Sequence, residues 1–107
     1  MSPMDESHET PIACDMAALT PDERDRRGEL ADHLHTAILE MREGADGYAF
    51  RYPADLLPTA TAFVALERRC CPFFRFVLDL ESDDGPLWLS ITGRAGVKAF
   101  IAAELGL

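Results

Sequence analysis

The sequence predicts an α+β fold: an antiparallel sheet of three to four strands with helices packed on one face, in the order α-ββ-α-ββ-α. Three observations lead there. Apolar residues switch from helical spacing (Leu30, Leu34; Ala60, Phe63, Val64) to strict alternation (Tyr48, Phe50, Tyr52). Two acidic-glycine turns, Gly44-Ala45-Asp46-Gly47 and Ser82-Asp83-Asp84-Gly85, each separate two short apolar stretches. A weak internal echo aligns Leu39, Met41, Tyr48, Phe50 and Tyr52 with Leu78, Leu80, Leu87, Leu89 and Ile91 at an offset of about 39 residues, which suggests two strand–strand–helix units after a leading helix.

Residues 1–11, with two prolines and no periodicity, read as a flexible leader, and 12–107 as one domain. Ile12-Ala13-Cys14 is a short apolar patch expected to pack back onto that domain. Thr20-Pro21-Asp22-Glu23 starts a helix: Thr20 caps, Pro21 fits the first helical position, and the two acids suit the positive end of the dipole. That helix runs past Leu30 and Leu34. The stretch from about Ala37 to Glu43 fits both periods, and the echo assigns it to a strand; without the echo the helix would continue to about Arg42 and the sheet would have three strands. Tyr48 to Tyr52 is a strand ended by Pro53. A second helix spans Asp55, a candidate cap, to Cys71, with Pro72 beyond it. Phe74–Leu80 and Leu87–Ile91 form a hairpin about the second turn. Thr92 is expected to cap a final helix from about Arg94 to Glu104.

Composition narrows the function. A hydrophobic share of 48% with 27% charged residues fits a soluble globular domain. The net charge of −9 repels phosphate backbones and anionic lipid, so neither nucleic acid nor membrane is an expected partner. No apolar run approaches the ~20 residues that span a bilayer. The polar, acidic start has no secretory signature, so a cytoplasmic location is expected. In that reducing setting the three cysteines read as thiols and not as a disulfide framework.

Cys70 and Cys71 carry most of the chemical information. Adjacent cysteines do not readily pair with each other, but their thiolates suit one soft metal or metalloid ion. With Cys14 the total is three, the number a trigonal thiolate site needs. The doublet falls at a helix C-terminus, where the dipole raises thiol pKa values and favours a cation; redox cysteines occupy the opposite end. Arg68, Arg69 and Arg75 nearby would offset part of that effect. Glu67, three and four residues before the doublet, shares its helix face and is a candidate auxiliary ligand or proton acceptor, or else a helix charge paired with an arginine. The metal-site candidates are therefore Cys14, Cys70 and Cys71, with Glu67 auxiliary. No catalytic residue is assigned. His8, His33 and His35 read as surface residues, and no recognised zinc spacing is present. Gly93-Arg94-Ala95-Gly96 lacks a phosphate-binding pattern and reads as a tight strand-to-helix turn. The aromatic residues read as core, some of them walling a ligand pocket beside the doublet.

The stretch Glu67-Arg68-Arg69-Cys70-Cys71-Pro72-Phe73-Phe74-Arg75-Phe76 resembles the E-x-x-C-C-x-F-x-x-F signature of a family of small bacterial Cys-Cys proteins with no settled activity. Ile12-Ala13-Cys14, Asp46-Gly47-Tyr48 and the segment Leu87 to Gly93 also look like theirs. Similar modules are fused to MerR-like metal-responsive regulators, and stand-alone members accompany metal- or metalloid-handling genes. The resemblance implies effector sensing or metal sequestration by the thiols, and so a link to heavy-metal resistance.

Three functions compete. The first is binding of a soft metal or metalloid ion (Hg²⁺, arsenite, Cu⁺ or Zn²⁺) for buffering, transfer or sensing. The second is a thiol oxidoreductase or an enzyme processing an organometal or oxyanion, with Cys70 or Cys71 as nucleophile, Cys14 as resolving thiol and Glu67 as proton donor. The third is an interaction module with buried cysteines, for which an exposed sheet edge makes a homodimer feasible.

Overall fold

The computed structural model describes residues 11–107. Except for Pro11, the expected leader lies outside these residues, and so does His8. The fold is α+β with four strands, as the internal echo requires. The leading helix α1 spans Pro21–Thr36, followed by β1 (Glu40–Glu43), β2 (Gly47–Tyr52), α2 (Leu57–Cys70), β3 (Arg75–Leu80), β4 (Leu87–Thr92) and α3 (Val97–Glu104). The sheet is antiparallel in the order β1-β2-β4-β3. Exchanging the two strand–strand–helix units maps this order onto itself, the relation expected of a duplicated unit.

Alternation places the strands' two faces. Tyr48, Phe50 and Tyr52 of β2, with Leu87 and Leu89 of β4, are buried in the core. The register joins Phe50 to Leu89 and Leu78 to Leu89 across neighbouring strands, so this apolar row is continuous. Helices contribute matching stripes. Leu30 and Leu34 of α1, Ala60, Phe63, Glu67 and Cys70 of α2, and Val97 and Ile101 of α3 are buried. The α2 set follows helical spacing and includes one carboxylate, which makes that stripe chemically unusual. On the other sheet face the Arg42 guanidinium lies 4.3 Å over the Trp88 ring, covering an outward-facing indole.

Local signals fix most boundaries. The Thr20 hydroxyl accepts from Glu23 N–H and the Glu23 carboxylate accepts from Thr20 N–H, a complete capping box with Pro21 behind it. Replacing Thr20 by Ala removes half of the box; an unfolding free energy lower by about 1 kcal/mol is expected in a urea titration. Gly47 has no room for a side chain, since a Cβ there would sit 2.0 Å from the Ile91 carbonyl oxygen on β4. In the β3–β4 turn Asp83 and Asp84 both take positive φ, 58° and 57°, the left-handed pair that a tight hairpin turn requires.

Several expected boundaries move. β1 begins at Glu40 instead of Ala37, because Ala37 closes α1 by donating to the Leu34 carbonyl. Asp55 caps nothing: Ala54–Leu56 forms a separate 3₁₀ turn after Pro53, and α2 starts at Leu57. α2 ends at Cys70, with Cys71 as its C-cap residue. Thr92 does not cap the last helix. Gly93 to Gly96 turn the chain first, and Gly96, at φ 97°, supplies the entry to α3. Among the described residues no helix is long and apolar enough to cross a membrane.

Candidate functional site

Three segments meet where α2 ends. α2 brings Glu67 and Cys70 on its buried stripe, and its cap brings Cys71. The segment before α1 brings Cys14, which is half-buried. It is docked by a backbone hydrogen bond in which Asp15 N–H donates to the Cys70 carbonyl at 2.7 Å, satisfying an otherwise open carbonyl of the last turn. A 3₁₀ turn, Met16–Ala18, follows and leads to the capping box. α1 brings Arg27, one turn before Leu30 on the same face.

Cys14 and Cys71 form a disulfide, with their Cα atoms 4.7 Å apart. This corrects the expectation of three free thiols. The pairing follows from the docking of the Cys14 segment on the end of α2, a long-range contact that spacing does not reveal. Cys70 remains a free thiol and is fully buried. Its Sγ lies 3.8 Å from Cys71 Sγ, so all three sulfurs form one group. The doublet's sulfurs do not bond to each other, as neighbouring-residue geometry predicts.

Glu67 organises the group. It is 5% exposed, and its carboxylate accepts two hydrogen bonds from Arg27, from Nε at 2.7 Å and from Nη2 at 3.0 Å. This is the paired, bidentate arrangement a buried carboxylate needs. Oε1 also accepts from the Cys70 thiol at 3.3 Å. Cys71 Sγ lies 3.6 Å from the same oxygen, a contact without a proton because that sulfur is in the disulfide. The expected helix-face relation between Glu67 and the doublet holds, and the arginine paired with Glu67 is Arg27 of α1. The ligand atoms of Glu67, Cys70 and Cys71 all lie within 4.8 Å of one another. The residue types are those that ligate metals, with two sulfurs and one carboxylate, but the Cys71 sulfur is committed to the disulfide.

Burial, then the hydrogen bond to Glu67 and the negative charge of its carboxylate, push the Cys70 thiol up to about 11, with Arg27 acting in the opposite direction. At neutral pH Cys70 is therefore a protonated donor to Glu67. Arg69, expected to assist the thiols, turns away to Glu23 and the Ala18 carbonyl, tying α2 to α1. Arg75 is exposed on β3.

The cation beside the thiols is Arg27, which the sequence reading missed. A signal for it exists: Arg27, Leu30, Ala31 and Leu34 share one helix face, so a charge enters an apolar stripe and demands a partner. His33 and His35 are exposed, as expected. A cavity of about 400 Å³ opens beside the group, and Cys14, Arg27 and Glu67 line it together with Phe50, Phe63 and Phe74. Four members of the aromatic set, Phe50, Tyr52, Phe63 and Phe74, thus line a pocket that Cys14 and Glu67 also line, whereas Cys70 and Cys71 do not. Compared with known proteins, the chain matches no family model, no curated protein and no solved structure.

Proposed function

We propose that the chain binds a soft metal or metalloid ion, for buffering, transfer or sensing, through Cys14, Cys70 and Cys71 once the Cys14–Cys71 bond is reduced, with Glu67 as auxiliary carboxylate. One observation carries this reading: all three sulfurs gather at one point, two of them bonded and the third 3.8 Å away. Sulfurs about 4 Å apart suit a central ion with bonds of ~2.3 Å. The negative end of α2 favours a cation there. Arg27 offsets one of the four negative charges that three thiolates and Glu67 would bring together. The likeness of Glu67 to Phe76 to the Cys-Cys family points the same way.

A second reading, a thiol oxidoreductase, draws on the third thiol resting against one sulfur of a disulfide. Reactive cysteines have depressed pKa values and favour helix N-termini, whereas burial pushes the Cys70 thiol up to about 11 beside a helix C-terminus. The binding reading is therefore preferred.

Calorimetry in buffers of different ionisation enthalpy tests it. Zn²⁺ should bind the reduced protein one to one and release about three protons, one per thiol. Arsenite should bind with no net release, because the displaced hydroxide and the thiol protons leave as water. Each of Cys14→Ser, Cys70→Ser and Cys71→Ser should weaken both. Binding that all three substitutions leave unchanged would remove the proposal.

A further inference from the structure

The cavity beside the thiols is larger than a bare ion uses. At about 400 Å³ it falls within the size range of small-molecule pockets. Its interior is mainly apolar, with the rings of Phe50, Tyr52, Phe63, Phe74 and Phe100 set among aliphatic side chains such as Leu89. Apart from the Tyr52 hydroxyl, the polar groups separate into two sets. Arg27 and Glu67, already satisfied by each other, lie beside Cys14 at the thiol end. Asp32, His35 and Glu104 are exposed and mark the mouth. Two carboxylates at the mouth of a chain with net charge −9 disfavour anionic visitors and admit neutral or cationic ones.

Of the three sulfurs, only Cys14 belongs to a residue lining the cavity. A thiophilic atom bonded to Cys14 and to its partner Cys71 would therefore sit at the cavity wall, with space beside it for a further substituent. We propose that the preferred ligand is a neutral, trivalent metalloid bearing one apolar substituent of about aromatic size. Its soft atom is held by Cys14 and Cys71, and its substituent occupies the cavity. The inference rests on the binding reading above and specifies the ligand for that same site.

The chemistry balances. A two-electron reductant such as a phosphine first cleaves the disulfide: the phosphine becomes its oxide, taking oxygen from water, and both water protons pass to the sulfurs. A substituted arsine oxide then exchanges its oxygen for two sulfurs. Two S–H bonds and the arsenic–oxygen bond break, two S–As bonds form, and one water leaves. Arsenic stays trivalent throughout, with two sulfurs and one carbon around it. Inorganic arsenite, lacking that carbon, needs Cys70 as third ligand.

The test uses the full-length reduced protein with phenylarsine oxide, methylarsine oxide and arsenite as probes. Phenyl and methyl compounds make the same two S–As bonds, so their affinity ratio, divided by the ratio for a small dithiol in water, reports the cavity. A corrected preference for phenyl of about tenfold or more is expected from the apolar area buried. Ala31 lines the cavity and is half-buried, so Ala31→Phe should abolish the preference while leaving arsenite affinity within about twofold. Cys70→Ser should weaken arsenite and spare phenylarsine oxide. A corrected ratio near one overturns this inference alone if arsenite still binds through three thiols. Failure of every probe to bind removes the underlying reading as well. If Ala31→Phe does not fold, the wild-type ratio decides.

Discussion

Reducing the Cys14–Cys71 disulfide should lower the unfolding free energy by about 4 kcal/mol on the loop-entropy scale, because it opens a loop with a sequence separation of 57 residues. That loop contains α1, β1, β2 and α2, so its release affects the whole layer that carries the site. For a chain of this length the melting midpoint should fall by about 15–20 °C. Thermal melts with and without a phosphine measure it, and Cys14→Ser should reproduce the reduced value. The reduced protein should then regain stability when the site is filled: a ligand at one hundred times its dissociation constant restores about 2.7 kcal/mol. Melts that coincide in the two redox states would show that the bond adds nothing to the fold. A reduced protein that arsenite does not stabilise would show that the released sulfurs do not act together.

Arg27→Met should be nearly as damaging, costing about 3 kcal/mol or more, because it leaves the Glu67 carboxylate buried without its counter-charge. The reverse change, Glu67→Gln, should cost about half as much, since the Arg27 side chain is 23% exposed and can turn its guanidinium toward water. Chemical denaturation of both single variants and of the double variant Arg27→Met, Glu67→Met measures this asymmetry. The double variant should recover most of the loss, because two apolar side chains replace a pair that needed each other. Equal costs for the two single changes, or simple additivity in the double variant, would mean that the two side chains are not coupled as their geometry implies.

The architecture was legible because local chemistry and long-range packing agree in this chain. The capping box at Thr20, the alternation from Tyr48 to Tyr52 and the two acidic turns each name their element without reference to the rest. The echo between the two halves resolved the region before Gly44, where periodicity alone allowed a helix. The differences fall at element ends, where a cap or turn residue sets the boundary. Ala37 closes α1 instead of opening β1, and Gly96 supplies the start of α3 that Thr92 was expected to give.

The site was only half legible. Helical spacing puts Glu67, Cys70 and Cys71 on one face, and that follows from the sequence alone. The docking of Cys14 depends on the Asp15 to Cys70 backbone hydrogen bond between distant segments, which no spacing encodes. The disulfide was excluded on an assumption about compartment, an argument about surroundings and not about geometry. Arg27 lies 40 residues before Glu67, so nearness to the doublet in sequence marks Arg68, Arg69 and Arg75 instead. Arg69 turns to Glu23, Arg68 and Arg75 are exposed, and the guanidinium that serves Glu67 comes from another helix.

X-ray absorption at the arsenic edge, on reduced protein loaded with one equivalent of arsenite, tests shared coordination most directly. Three sulfur scatterers per arsenic, falling to two in each of Cys14→Ser, Cys70→Ser and Cys71→Ser, is the result expected from three sulfurs gathered at the end of α2. Arsenic that keeps its oxygen shell, or a sulfur number that any of the three substitutions leaves unchanged, would contradict it.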